Sequence, residues 1–333
     1  MACPTKVFPD RNHTDRLWGR TSNNGQTAQT ADTLPAILRV VLNNGIEMPQ
    51  LGVGTSTLKE TAAECVKRAI GLGYRLVDAA QGYDNEAEVW YGIKESGIGR
   101  SEVFIISKVS PDAVRSGKVR ESLDRTIEAF GGTYVDLMLI HWPDVNTDFA
   151  ETADALNALK KSGKVLHIGV SNFTREQMEE IGQYCTLEAY QPQYSMVVRT
   201  NEEQMKWAAE QGMGVMTYGS LGGGILTGAF RKLTTFEATD SRNRFYKHFQ
   251  EPMFSKVMKV LEVMDRISAD RDNVPLSQIA LNWCAQKEFV SSCIVGAQSR
   301  RKIEENCAAY QWMLTSEEIA LLDAAIEQYL VEQ

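Results

Sequence analysis

Short apolar runs alternate with amphipathic segments along almost the whole chain. The first extended pair is "AILRVVLNNGIEM" (36–48), whose arms flank Asn43-Asn44-Gly45, a turn sequence that favours a β-hairpin. Next, "QLGVGT" (50–55) precedes a helical period at 58–72, and "RLVDAA" (75–80) precedes one at 85–96. The same order returns as "VFIISKV" (103–109) with 113–130, "VDLMLIHW" (135–142) with 149–162 and "VLHIGVS" (165–171) with 174–183. "LEAYQPQY" (187–194) leads to 201–211, and "GVMTYGS" (214–220) to a polar insertion and helical periods at 253–270 and 275–286. "VSSCIVGA" (290–297) with 299–309 closes the series, and a last helix is expected at 315–330.

Strands alternating with helices predict a parallel sheet covered on both faces. Eight such units without a break between halves favour a closed α/β structure, the (β/α)8 TIM barrel, over an open sheet. The hairpin is expected to plug the bottom of the barrel, and the extra C-terminal helices to pack outside it. No Pro/Ser-rich linker divides the chain, so residues 34–333 are expected to form one domain. Residues 1–33, rich in Thr, Asn and Gln, read as a flexible arm, with an organelle-targeting peptide as the second reading. "GVGTST" after the first barrel strand imitates a dinucleotide fingerprint, but its third glycine position is Thr57, so a Rossmann turn is not specified.

Composition narrows the function classes. With 43% hydrophobic and 23% charged residues in 333, the chain can bury a large core. A formal net charge of −8 argues against a nucleic-acid partner. No apolar run approaches the ~18 residues of a membrane helix. The cysteines 3, 65, 185, 284, 293 and 307 show no C-x-x-C spacing and read as reduced core residues. No metal site is expected.

In barrels of this kind the chemistry sits where the strands end. Those positions hold Thr55, Asp78, Lys108, His141, Ser171, Asn172, Gln193 and Tyr218, with Tyr83 in the loop after Asp78. Each has an ordinary structural role open to it: Asp78 as a helix cap, Lys108 on the surface, His141 as a core histidine. Four at successive strand ends make a proton-donating unit. A phenol of pKa about 10 is a sluggish acid at neutral pH. An ammonium about 4 Å away stabilises its phenolate by up to about 4 kcal/mol at an effective dielectric near 20. Asp78 would keep Lys108 charged, and a neutral His141 could donate to the same oxygen that Tyr83 protonates. Such a unit suits carbonyl reduction, where negative charge develops on oxygen.

At this point the chain resembles the aldo-keto reductase superfamily. "LNNGIEMPQLGVGT", "RLVDAAQGYDNE", "IISKVS", "LIHWPD", "HIGVSNF" and "IVGAQSRRKIEEN" occur in that family's order across residues 38–310. The resemblance implies a nicotinamide-dependent carbonyl reductase, with Tyr83 as general acid and Asp78, Lys108 and His141 completing a tetrad. It implies contacts to the nicotinamide side from Gly54, Thr55, Asp78, Ser171, Asn172, Gln193 and the stacking ring of Tyr218. Ser220, Leu221 and Gly222 fall in the pyrophosphate loop. Gly296, Ala297, Ser299 and Lys302 match a 2′-phosphate site, and Glu305 and Asn306 the adenine contacts. NADP(H) is therefore expected ahead of NAD(H), with Lys302 standing where many relatives have Arg.

A small aldehyde or ketone is the expected substrate, with Tyr83, His141 and Ser56 touching it. Ser56 replaces a frequent aromatic, so the mouth is expected to be wider there. Trp90 is expected to pack, not to bind. The insertion 229–252, with Arg242, Arg244, Phe245, Tyr246 and Phe249, is the candidate lid. One N-x-T sequon, at Asn172, lies inside this cofactor segment, which favours a cytoplasmic protein. Two other functions stay open on the sequence: a dinucleotide-sensing regulatory subunit with little turnover, and a Schiff-base lyase using Lys108. The oligomeric state is not legible.

Overall fold

The computed structural model describes residues 5–6, 39–42, 45–58, 61–115, 117–144, 146–296 and 299–331. A small antiparallel sheet comes first: β1 (Thr5–Lys6), β2 (Arg39–Val41) and β3 (Glu47–Pro49), in that order. Of the expected hairpin turn, Asn43 and Asn44 lie outside the described residues, as does most of the 1–33 arm. Eight parallel strands follow and close into a barrel: β4 (Leu51–Gly54), β5 (Leu76–Asp78), β6 (Phe104–Val109), β7 (Val135–Ile140), β8 (Val165–Ser171), β9 (Ala189–Gln191), β10 (Gly214–Tyr218) and β11 (Ser292–Gly296). The last strand pairs back onto the first, Gly296 opposite Gly54. The fold is the (β/α)8 barrel that the alternation predicts.

Strand register explains why polar groups gather at one rim. Successive side chains on a strand point to opposite faces. Leu76 pairs with Phe104, Ile106 with Leu137, and Leu139 with Gly169. With Ala189, Met216 and Ile294, the side chains of these strands form one apolar cluster inside the barrel. The residues between them, such as Val77, Ile105 and Met138, belong to the outer layer under the helices. Counting on by two along the inward face reaches Asp78, Lys108, His141, Ser171, Gln191 and Tyr218. Six of the eight strands therefore deliver an inward polar side chain at their C-terminal ends, while β4 and β11 end on the paired glycines Gly54 and Gly296.

The opposite end is closed by the hairpin. Val40, Leu42 and Met48 join the interior cluster, each worth roughly 1.5–3 kcal/mol when buried. Gly214 makes room for them, since a Cβ there would lie 2.6 Å from Leu42 Cδ1. Outside, the helix Ser316–Leu330, capped by a reciprocal Thr315–Glu318 pair, packs on the helix Met253–Ala269.

The structure corrects several element boundaries. The helix expected at 113–130 is two, Pro111–Arg115 and Val119–Ala129, because Gly117 between them takes a positive φ of 64°. The strand expected at 187–194 stops at Gln191, since Pro192 has no N–H to continue the ladder. Trp90 packs as expected, its indole lying over the backbone of Gly131.

Candidate active site

Asp78 ends β5, and the chain then makes a single 3-10 turn, Gln81–Tyr83, that carries the phenol. Asp84, with φ of 53°, ends the turn. Gln81 pins it from both sides. Its amide accepts from Ser110 N at 2.9 Å and donates to Thr126 Oγ1 at 3.1 Å and Ser122 Oγ at 3.3 Å. Buried Asn85 ties the following helix to the end of β4, donating to Thr55 O at 2.9 Å. Thr55 in turn donates to Asp78 O at 3.0 Å.

Lys108 stands near the C-terminal end of β6, as expected, and is 1% exposed, so it is not the surface residue its charge alone would allow. An ammonium has three N–H donors, and all three are used. They reach Asp78 Oδ1 at 2.7 Å, Ala79 O at 2.9 Å and the Tyr83 hydroxyl oxygen at 3.3 Å. The second Asp78 oxygen accepts from Gln191 Nε2 at 2.8 Å. Sequence reasoning missed Gln191, although strand alternation in "AYQPQY" puts 189, 191 and 193 on one face. It also missed Glu86, whose carboxylate accepts from Ser107 and Thr126 just behind Lys108.

The electrostatics amend the simple picture of an acidified phenol. Burial pushes the Tyr83 phenol above its ordinary value, and the Lys108 ammonium offsets that only in part. Burial also weakens the charge on Lys108, but Asp78 and Tyr83 together more than compensate, so its pKa is raised. An amine so held is no nucleophile at neutral pH, which removes the imine chemistry of a lyase. His141 follows β7 with its ring edge-on to Tyr83, centroids 5.6 Å apart. Burial, helped by the Lys108 charge, lowers its pKa to about 3, so the imidazole is neutral across the working range. Trp142, 38% exposed, stacks on the outer side of His141, and Ser56 is exposed at the mouth.

The neighbouring strands complete a second set. Ser171 donates to Gln191 O at 2.8 Å, and Asn172 donates to His141 O and to Ser171 Oγ, both at 3.0 Å. The Tyr218 hydroxyl donates to Asn172 Oδ1 at 2.8 Å. Gln193 bridges to Tyr218 by backbone pairing. Its Nε2 is buried without a well-formed hydrogen bond, although the Tyr246 hydroxyl lies beside the same amide.

Ser220 is buried, with its hydroxyl against Thr217 Oγ1 at 3.1 Å. Leu221 leads into Gly222, Gly223 and Gly224, all with positive φ. The candidate lid 229–252 is mostly exposed, but its aromatic residues fold onto this run, and His248 and Phe249 are buried there. Tyr246, His248 and Phe249 contact the glycines, and Phe230, Phe236 and Phe249 form an aromatic cluster roofed by Arg242.

Farther along the rim, Gly296 ends β11, while Ala297 lies outside the described residues. Ser299 caps the helix Arg300–Ala308, accepting from Lys302 N at 3.4 Å. Arg300 pairs with Glu304 at 2.8 Å and Arg301 with Glu305 at 3.9 Å. Lys302 has no ion pair among the described residues. Glu305 also accepts from Ser277, and Asn306 is buried.

A barrel with this rim has known counterparts. The profile of the aldo/keto reductase family matches residues 43–327. The chain belongs to the aldo/keto reductase family. Among curated relatives, a glyoxal reductase of Bacillus subtilis is 30% identical over 86% of this chain and 91% of its own length. A methylglyoxal reductase, DkgB of Escherichia coli O157:H7, is 32% identical over 83% and 93%. Among solved structures, a putative 2,5-diketo-D-gluconic acid reductase B superposes with a TM-score of 0.70 at 29% identity, covering 85% of this chain and 89% of that one.

This aldo/keto reductase is thus an oxidoreductase acting on carbonyl compounds, and its family uses nicotinamide cofactors. The residues present fit such a group. The Gln193 amide, with no well-formed hydrogen bond of its own, and an aromatic face at Tyr218 stand beside the tetrad, and the left-handed run Gly222–Gly224 carries no side chains, so a phosphate could approach its backbone closely. Among the described residues no helix is long and apolar enough to cross a membrane, and no cluster of three metal-binding side chains occurs.

Proposed function

We propose that the chain is an NADP(H)-dependent reductase of small aldehydes or ketones, reversible as an alcohol dehydrogenase, with Tyr83 as the general acid. The nicotinamide, when bound, supplies the hydride. The protein's part is to receive the charge that develops on the carbonyl oxygen. Because the Tyr83 oxygen already accepts from Lys108, its own O–H is free to turn toward the mouth. That observation carries the reading. As the proton leaves, the growing phenolate faces an ammonium held in place by Asp78 and Gln191. Neutral His141, edge-on to the phenol, is placed to steady and orient the same oxygen.

The acid works without being acidified. At neutral pH a raised phenol is fully protonated, which a proton donor needs, and the ammonium recovers part of what burial costs the anion. Ser171, Asn172, Gln193 and Tyr218 would hold the nicotinamide side, with Gly54 and Thr55 lining β4. Ser220, Leu221 and Gly222 would supply backbone groups to the pyrophosphate. Lys302, the cation that the helix Arg300–Ala308 leaves without an ion pair, favours NADP(H) over NAD(H) at the 2′-phosphate, with Ser299 and Gly296 beside it.

The relatives named for glyoxal and methylglyoxal make compact α-dicarbonyls the first substrates to try, and exposed Ser56 leaves the mouth open to larger ones. Steady NADPH oxidation in the presence of glyoxal, methylglyoxal, sugars and ketosteroids tests the reading. Turnover with at least one carbonyl is expected; tight NADPH binding with no turnover on any of them would contradict it.

A further inference from the structure

The polar insertion meets the glycine run at one buried hydrogen bond. His248, 3% exposed, places Nε2 at 2.9 Å from Gly222 O. A carbonyl only accepts, so Nε2 carries the proton and donates. Tyr246 lies edge-on to the His248 ring at 5.2 Å, and Phe249 is tilted against it at 5.1 Å. Burial holds the imidazole below its ordinary pKa, consistent with a neutral ring in an apolar seat.

The glycines on the other side are shaped to receive this seat. Gly222, Gly223 and Gly224 have φ of 57°, 64° and 98°, a left-handed run that side chains resist. A Cβ on Gly223 would meet the Tyr246 ring at 3.0 Å and Phe249 at 3.2 Å. The run's other hydrogen bonds are all local: Gly222 N donates to Gly219 O at 2.8 Å, Gly224 N to Leu221 O at 3.0 Å, and Gly224 O accepts from Thr227 Oγ1 at 2.7 Å. Glycine backbones lose the most entropy on ordering. A single well-made bond from a rigid ring therefore has leverage over how often the run is found in the nest-like state.

We propose that His248 is a positioning residue that latches the glycine run 222–224 in the conformation able to bind a dinucleotide pyrophosphate. The insertion then serves as a fixed brace, touching the cofactor site through Gly222 and through Tyr246 beside Gln193. This rests on the assignment of the glycine run to the pyrophosphate, which the experiment below tests separately. When a competent conformation is only fractionally populated, apparent affinity falls by that fraction.

Two readouts separate the outcomes: NADPH affinity by quenching of protein fluorescence, and amide hydrogen exchange of residues 222–226 in the protein without dinucleotide. His248→Ala is expected to weaken NADPH by about tenfold, about 1.4 kcal/mol, and to speed exchange in the run. His248→Gln, which keeps a donor at a similar reach, is expected to restore both to within about threefold of the parent. Unchanged exchange in a folded His248→Ala protein would overturn the latch. Faster exchange with unchanged NADPH affinity would keep the brace but overturn its role toward the dinucleotide. Should His248→Ala fail to fold, equal loss of affinity in a folded His248→Gln would overturn the donor role. A parent protein that binds neither NADPH nor NADH would overturn the pyrophosphate assignment itself.

Discussion

At the scale of single residues, the site is an ammonium with no spare donor. Lys108 divides its three N–H groups among a carboxylate, a backbone carbonyl and the phenol oxygen, and that division sets the direction of the Tyr83 hydroxyl. The charge states follow from burial and partners. Tyr83 and Lys108 are both raised, and His141 is held at about 3. A general acid is active while it keeps its proton, so a raised phenol extends activity upward in pH, and an imidazole held so low gives no ionisation between about 5 and 8. The expected profile of kcat/KM for carbonyl reduction, with a saturating dinucleotide, is flat from about pH 6 to about pH 9 and declines only beyond. A limb near pH 6.5 would mean that His141 titrates as an exposed histidine. The tetrad was legible because apolar runs ended in polar residues on consecutive strands. The direction of the Tyr83 shift was not, because charge spacing can be guessed from sequence while the desolvation of a particular ring cannot.

Elements decide which of these residues meet. Along each strand the inward face runs from an apolar layer to a polar end: Leu76 to Asp78, Ile106 to Lys108, Leu139 to His141, Met216 to Tyr218. Period-two alternation is visible in sequence, so Gln191 could have been found by the same count that found Gln193. The turn Gln81–Tyr83 could not, since three residues leave no periodic trace, and its anchors at Ser110, Ser122 and Thr126 are distant in sequence. The seat of the insertion was hidden for a related reason. Its arginines and aromatics marked it as a candidate lid, but which of those aromatics reach the glycine run leaves no periodic trace. At the helix Arg300–Ala308, two of three cations are already paired with glutamates. Lys302→Ala is accordingly expected to weaken NADPH by tenfold or more, an order typical of a lost charged contact, and NADH by less than about twofold. An equal loss for both in titrations would remove the 2′-phosphate assignment.

For the whole molecule, barrel closure turns neighbours in sequence order into neighbours in space. Strands β5 to β10 lie side by side, so groups from residues 78 to 218 share one rim. At the other rim the hairpin seals the interior with Val40, Leu42 and Met48, leaving the polar ends of the strands as the face available to ligands. Barrel topology and the eight-unit count were readable from alternation alone. Helix boundaries and the break at Gly117 depended on local backbone geometry that composition does not encode. Substrate choice belongs to the mouth, where Trp142 and Ser56 are exposed, and those side chains carry no periodic signal. What the whole arrangement serves is proton delivery by one phenol. The direct measurement compares Tyr83→Phe with the parent enzyme, reading carbonyl-dependent NADPH oxidation together with NADPH affinity. Carbonyl reduction is expected to fall by about 10²-fold or more, with NADPH affinity within about twofold of the parent; turnover at the parent rate in that variant would contradict the assignment of Tyr83 as the acid.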